Sequence, residues 1–528
     1  MKQRKMSLFS LVMLTLSAII GSGWLFGAGM AAQIAGPAAV LSWVIGAVVI
    51  GLIALNYIEL GTMFPSSGGM SQYAAFSHGP LLGFVAAWAN WLSLLTIIPI
   101  EAVAAVQYMS SWPWSWANWT RGFLSGGNIT NLGLFIVFLF ILAFTLLNFW
   151  SVKLMTRFTS FISIFKLGIP TLTIIVLFLT GFDSSNFMAQ GCFMPSGTAP
   201  IFAATTAAGI IFSYNAFQTT INMGNEIDHP EKNIFWGIII AFAISTVIYT
   251  LLQIVFIGTV PAHSLIHGWS GVNFQSPFAD IAILLNLGWL STLLYLDAFV
   301  SPFGTGVSFV ATASRALAAM GADKHMPTRL GEFNRMYQTP RRAMVADMVL
   351  GVLLVACFRN WSALSDVIST ATLIAYLTGP ITVISLRHQA PDFVRPYRMP
   401  HAKLWAPLSY ALASLAIYWA KWPTTVEVFG VIALGLVFYV YYEVREPAGW
   451  RKIRNSLRGS RWLLFEMIWL TLMSLMGSHE FSGLGWIPYP LDFVAVAAGS
   501  LVCYALGLHD AYRSDSMDLA VDLNERVS

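Results

Sequence analysis

The chain has 528 residues, of which 57% are hydrophobic and only 10% charged, with a formal net charge of +4. Soluble domains carry about 25% charged residues, so a mean hydropathy of +0.69 excludes a soluble globular protein and points to an all-α, polytopic membrane protein. The small basic excess then serves topology and not nucleic-acid binding.

About 20 apolar residues cross a bilayer as a helix. The opening "MKQRKMSLFSLVMLTLSAII" has the basic start and apolar stretch of a signal peptide, but apolar character runs past Met30 with no clear cleavage site, so a first span is expected instead. Five spans are predicted near Leu8–Ile34, Ala38–Met63, Leu81–Met109, Leu132–Phe149 and Met155–Thr180. Five more follow at Pro200–Met223, Ile234–Val260, Ala282–Ala313, Ala343–Phe358 and Ser365–Leu386. Four close the chain at Leu404–Ala420, Val426–Tyr442, Trp462–Met476 and Leu491–Leu508, the third of them short enough to lie at the interface.

With the N-terminus inside, this count puts twenty-four of the 28 Lys and Arg on the inner side. Only Arg121, Arg359 and Lys421 fall outside, and Lys166 stays within a span. Fourteen spans with both termini cytoplasmic satisfy the positive-inside rule, with twelve as the alternative. The Trp-rich "SSWPWSWANWT" then lies on the outer side, where an aromatic belt belongs. The three cysteines, Cys192, Cys357 and Cys503, form no disulfide framework or metal motif. No nucleophile–base pair, metal cluster or phosphate-binding loop is visible, so neither an enzyme nor a cofactor is expected.

Two spans are heavily interrupted. The first contains "IIGSGWLFGAGM", with Gly21, Gly23, Gly27 and Gly29. Each glycine inside a helix costs about 0.5–1 kcal/mol relative to alanine. Gly23 and Gly27 alone would read as a close-packing GxxxG pair. The sixth span, "GIIFSYNAFQTTINMGNEIDHPEKN", carries Ser213, Tyr214, Asn215 and Gln218 at mid-depth. The two lie five spans apart, and an odd spacing starts the second set of five from the opposite side. That is the pattern of a 5+5 inverted repeat with one discontinuous helix in each half and substrate held between them near the midplane. Freed N–H groups at such a break suit a carboxylate, and freed carbonyls suit an ammonium.

Ionisable residues at bilayer depth are functional candidates by default. Lys166, in "FISIFKLGIP", is the one basic residue that no surface accommodates, unless it snorkels to an interface. Glu101 in "TIIPIEAVAAVQYM" and Asp297 in "LYLDAFVSPFGTG" read equally as coupling groups or as locally satisfied carboxylates. Glu59 and Glu226 are expected to pair with inner Lys or Arg, and His78 and His229 to lie in loops.

Several motifs in order resemble the amino acid–polyamine–organocation superfamily: "IIGSGWLFG", "NYIELGTMFPSSGGMSQYA", "GNEIDHPEKNI", and "SRALAAMGADKHMPTRLGEFN" with "TPRRA". The tail "FSGLGWIPYPLDFVAV" resembles a bacterial subgroup of aspartate/amino acid–proton symporters. The resemblance implies a leucine-transporter-like core over residues 1–390, with helices 1–5 at 8–180 and helices 6–10 at 200–386. Extra helices at 391–508 and a cytoplasmic tail at 509–528 follow. It implies alternating-access transport of an amino acid across the bacterial inner membrane, by proton symport or alternatively by exchange; a non-transporting sensor is disfavoured. By position, the substrate carboxylate is expected at the N–H groups of Gly21, Ser22 and Gly23. The amine is expected at carbonyls near Ile19 and Ile20 and in a break around Phe212, Ser213 and Tyr214, with Tyr214 and Phe217 as pocket or gate residues. Lys166 matches a span-five lysine that replaces the sodium ion between spans one and eight in proton-coupled members, so protonation and release there would supply the switch. Many members have Gly-Phe-Glu where this chain has Ala216, Phe217 and Gln218, which removes a negative charge from the site.

Overall fold

A computed structural model describes residues 5–65, 69–150, 152–334, 336–445, 449–514 and 516–525. The first predicted span is two helices, α1 (Leu8–Ile19) and α2 (Gly23–Ala35). Ser7 caps α1, its side chain accepting from Ser10 N. The chain turns extended at Ile20 (ψ 90°) before α2 begins. Then come α3 (Ala39–Met63), α4 (Gly69–His78), α5 (Pro80–Ser110), α6 (Asn131–Trp150) and α7 (Val152–Gly181). Between α5 and α6 a small antiparallel hairpin pairs Leu124–Ser125 with Asn128–Ile129 across Gly126 and Gly127, both at positive φ as the tight turn requires.

The second half repeats this order. The sixth predicted span is three pieces, α8 (Ala199–Ala207), α9 (Ile210–Tyr214) and α10 (Phe217–Asn222), bent by 56° between α8 and the rest. After it come α11 (Pro230–Thr259), α12 (Pro277–Leu284), α13 (Gly288–Ala322), α14 (Arg341–Cys357), and α15 (Trp361–Tyr376) with α16 (Thr378–Gln389). The broken helices pack in opposite senses: α1 lies on α10, and α2 lies on α8 and α9. That contact pattern is what an inverted pair produces. α5 fills the centre, packed on α13 and α15, and is buried on nearly all sides.

α17 (Ala402–Tyr418), α18 (Thr424–Glu443), α19 (Gly449–Met476) and α20 (Leu491–Asp510) form a flank on α3, α5 and α15. α21 (Met517–Glu525) closes the chain. By length and apolar content, eight of the described helical stretches can cross a membrane, or nine with the bent pair. Each of the fourteen predicted segments falls on a helix or a broken helix, but α14 and α17, at 17 residues each, span only about 25 Å.

Three expectations are corrected here. The segment predicted as Ala282–Ala313 is split, because α12 ends at Leu284 and α13 starts afresh at Gly288. The short segment from Trp462 is the second half of the 28-residue α19, whose first half is basic. His78 is not a loop residue: it ends α4, fully buried, with Nε2–H donating to Gly507 O (3.0 Å) and Nδ1 accepting from Ser77 (2.7 Å). Burial pushes its pKa down to about 4. His229 precedes α11 and is exposed, as predicted.

The end of the bundle that carries the N-terminus is tied shut. Met6 N donates to Glu226 O (2.8 Å) and Asp228 N to Met6 O (2.9 Å), while the Glu226 side chain is exposed. Thr15 and Thr220 hydroxyls meet at 2.6 Å, linking α1 to α10. Glu59 is fully buried at the end of α3 and takes a bidentate pair from Arg387 (2.9 and 2.5 Å), the pairing its position predicted. The C-terminal segment docks on the same end, where Asn524 bonds both Val394 N and O (2.9 Å each).

Candidate functional site

The two chain breaks face each other, and every polar backbone group there asks for a partner. The last carbonyls of α1 have no acceptor role left within their own helix. Leu16 O is used by Ile20 N (2.8 Å). Ser17 O is taken by the Lys166 ammonium at 2.7 Å. Ile19 O accepts from Tyr249 OH (3.0 Å) and Gly21 N (3.1 Å). On the other side of the break, Ser22 N–H donates to both carboxylate oxygens of Glu101 (3.2 and 3.1 Å). A hydrogen bond to a charged acceptor contributes about 1.5–3 kcal/mol, and a carboxylate suits the positive end of α2. Ser22 Oγ accepts from Trp361 Nε1 (3.0 Å).

Lys166 also donates to Thr305 Oγ1 at 2.6 Å, so one buried ammonium joins α7 to α1 and α13. It is 2% exposed. Thr305 borders Gly21: a Cβ added at Gly21 would stand 3.5 Å from Thr305 Oγ1 and 2.7 Å from Glu101 Oε1. Glu101, Gly21, Thr305 and Lys166 thus form one continuous polar seam through the break. Asp297 lies on the same face of α13, two turns earlier, and accepts from Ser301 Oγ (2.7 Å), its second oxygen having no partner among the described residues.

The glycines of α2 do different jobs. Gly23 lies against α9, where an added Cβ would overlap the Ser213 hydroxyl and stand 3.1 Å from Ser213 Cβ. Gly27 admits Trp43 (3.0 Å) and Gly29 admits Pro277 (2.8 Å). The break proper is Ile20–Ser22, and the later glycines are packing positions inside a continuous helix.

The sixth span breaks in two places, at Gly209 (φ +73°) and at Asn215–Ala216, where Ala216 has φ +102°. It does not break at Phe212–Tyr214, which form the helical turn of α9; the residues able to open the chain flank that turn. Asn215 knits the second break: its Nδ2 reaches Thr372 (2.9 Å) and Ser93 (3.3 Å), and its Oδ1 receives Ala216 N (2.7 Å) and Tyr376 OH (2.8 Å). Gln218 Oε1 also accepts from Tyr376 OH (3.1 Å), and its Nε2 is buried with no partner among the described residues. Phe217 packs on Tyr376 and Tyr57, with ring centres 5.0 and 6.0 Å away. Tyr214 points elsewhere, into a cluster with Trp43, Tyr249 and Phe242 from α3 and α11.

A cleft of about 400 Å³ opens at the end away from the N-terminus. Its lining includes Gln33, Gln107 and Asn360, and its floor is Phe26 with Trp361. Phe26 packs on Trp361 (5.0 Å) and Tyr108 (5.2 Å), and Phe212 meets Trp361 from below (5.9 Å). The Trp361 at the floor of the cleft is thus the residue that bonds Ser22 at the break. Thr305, Trp361, Tyr376 and Tyr249 went unmarked in the sequence, where each looks like an ordinary residue of an apolar span.

Residues 6–442 match the family model described as amino acid permease. The chain belongs to the amino acid permease family. It is 46% identical over 524 residues to the glutamate/serine transporter AimA of Bacillus subtilis (strain 168), covering 99% of this chain and 97% of that protein. It is 35% identical over 506 residues to the aspartate-proton symporter of the same organism, covering 95% of each. A methylthioribose transporter of that organism is 26% identical over 458 residues, with 83% of this chain and 93% of that protein covered. The permease is therefore a multi-pass integral membrane protein and a secondary transporter of amino acids, not an enzyme.

Proposed function

We propose that this permease couples amino acid uptake to protons, with Lys166 as the coupling group. The observation that carries this is the pair of bonds from Lys166 Nζ to Ser17 O and Thr305 Oγ1, 2.7 and 2.6 Å long. Protonated, the ammonium holds the end of α1 against α13. Once the proton leaves, the neutral amine binds the carbonyl more weakly, and α1 is released to rock. The name of the aspartate-proton symporter supports the choice of proton.

The substrate carboxylate is received at the N-terminal turn of α2, at the N–H groups of Gly21, Ser22 and Gly23, with Glu101 capping Ser22 while the site is empty. The amine meets carbonyls at Ile19 and Ile20. Gln218 and Asn215 face the substrate side chain, in a site of neutral donors that accepts a carboxylate or a hydroxyl. The names of two relatives cited above, which mention glutamate, serine and aspartate, support this substrate range. Residues 1–390 form the transport core, residues 391–508 brace it, and both termini lie on the cytoplasmic side of the inner membrane.

Proteoliposomes test the proposal. Empty vesicles given an inward proton gradient should accumulate radiolabelled glutamate or serine. Uptake that requires preloaded amino acid and ignores the gradient would establish exchange instead.

A further inference from the structure

Away from the substrate route, positive charge gathers between α16 and α17. The segment "RHQAPDFVRPYRMPHAK", residues 387–403, holds Arg387, Arg395, Arg398 and Lys403 with His388 and His401. Glu59 answers two of these charges, through its pair with Arg387 and an approach of 3.7 Å from Arg395. Burial lowers the Arg395 pKa; Glu59 opposes this, and repulsion from Arg387 and Arg398 adds to it. The side chains of Arg398, His401 and Lys403 are exposed and make no hydrogen bond or ion pair among the described residues.

These three side chains line one open cleft of about 470 Å³, together with Arg387, Met399 and Leu404. α17 starts inside it at Ala402, so the positive end of a 17-residue helix adds to the field. Leu404 belongs to the cleft wall and also begins an apolar stripe. It is 61% exposed, Leu408 one turn on is 38% exposed, and the half-buried Leu412 and Leu415 continue the same face. A basic mouth thus runs directly into an outward apolar track along a membrane helix. Free phosphate would fill the mouth and leave the track bare, whereas a phospholipid fills both.

We propose that this cleft binds an anionic phospholipid, with its phosphate among Arg398, His401 and Lys403 and an acyl chain along Leu404 and Leu408. The site has a mechanical consequence. Arg387 NH2 donates to Met399 O (2.9 Å), and Met399 N to Glu59 Oε2 (2.8 Å), so the cleft wall is bonded to the end of α3. A headgroup seated there stiffens the joint between the core and the flanking helices.

The test uses the purified full chain in detergent, followed by thermal unfolding. Phosphatidylglycerol should raise Tm in a saturable way, whereas phosphatidylcholine and inorganic phosphate should not. The double variant Arg398→Gln/Lys403→Gln, both positions being exposed, should keep the lipid-free Tm. It should need roughly 25-fold more phosphatidylglycerol for half the effect, at about fivefold per charge removed. Arg513→Gln, on the same end but outside the cleft, should respond like the wild type. An equal response of double variant and wild type, or full stabilisation by inorganic phosphate alone, would overturn the proposal.

Discussion

Replacing Gly23 with alanine tests the contact between the two broken helices. The new methyl would overlap the Ser213 hydroxyl and stand 3.1 Å from Ser213 Cβ and 3.3 Å from its Cα. Forcing an extra carbon into a packed site costs about 1–3 kcal/mol. Alanine's helical advantage over glycine returns about 0.5–1 kcal/mol. The closed contact of α2 with α9 therefore loses on the order of 1–2 kcal/mol, or roughly tenfold in its population. Initial uptake rate in proteoliposomes should fall by about that factor, with Tm lowered by a few degrees. The collision comes from one identifiable side chain, so Ser213→Gly in the Gly23→Ala background should recover most of the rate. Ser213→Ala, which keeps Cβ, should recover less. The double-mutant cycle should show a coupling of about 1–2 kcal/mol. Wild-type uptake by Gly23→Ala, or a double variant no better than the single one, would refute the packing described for this break.

Three further perturbations follow from the same geometry. Glu101→Gln leaves Ser22 N–H one neutral acceptor in place of two charged oxygens, a loss of about 1 kcal/mol; because the substrate carboxylate displaces this cap, the KM for uptake should fall severalfold, and unchanged kinetics would remove Glu101 from the site. Arg387→Ala removes the bidentate partner of the buried Glu59 carboxylate and leaves it only Met399 N and the more distant Arg395, so it should cost about 3 kcal/mol, read as a large fall in Tm, whereas Arg342→Ala, which breaks the exposed pair with Glu332, should cost under about 1 kcal/mol. His78 supplies a pH dependence: its folded pKa of about 4 lies below the ordinary 6.5, so the unfolded chain binds the proton first. Its stabilisation is complete above pH 6.5 and is lost as pH falls toward 4, by about 3 kcal/mol in all; the slope of Tm against pH over that window should flatten in His78→Gln.

Much of the site is legible in the sequence where a residue type is out of place. Glycines and polar residues inside apolar spans mark both broken helices, and Lys166 stands out as the basic residue that fits no surface. What the sequence hides is direction and backbone. Ser17 contributes to the lysine site through a carbonyl, which every residue has, so nothing in its side chain announces the role. Thr305 resembles the other threonines that bond back to their own helix. Tyr214 has the depth of a pocket residue, but its side chain turns toward α3 and α11, and span position carries no such facing. The glycine run mixes two functions that spacing cannot separate: Gly21 belongs to the break, while Gly27 and Gly29 let Trp43 and Pro277 approach. His78 looks like a loop residue because its partner, Gly507 O, lies 429 positions away.

In the proposed mechanism Lys166 converts a proton into movement of α1. The most direct measurement compares wild type and Lys166→Gln in two assays on the same vesicles: accumulation driven by an inward proton gradient, and counterflow with amino acid on both sides and no gradient. The variant should lose accumulation yet retain counterflow, and the retained counterflow shows that it is folded and binds substrate. Gradient-driven accumulation by Lys166→Gln at the wild-type level would contradict this mechanism.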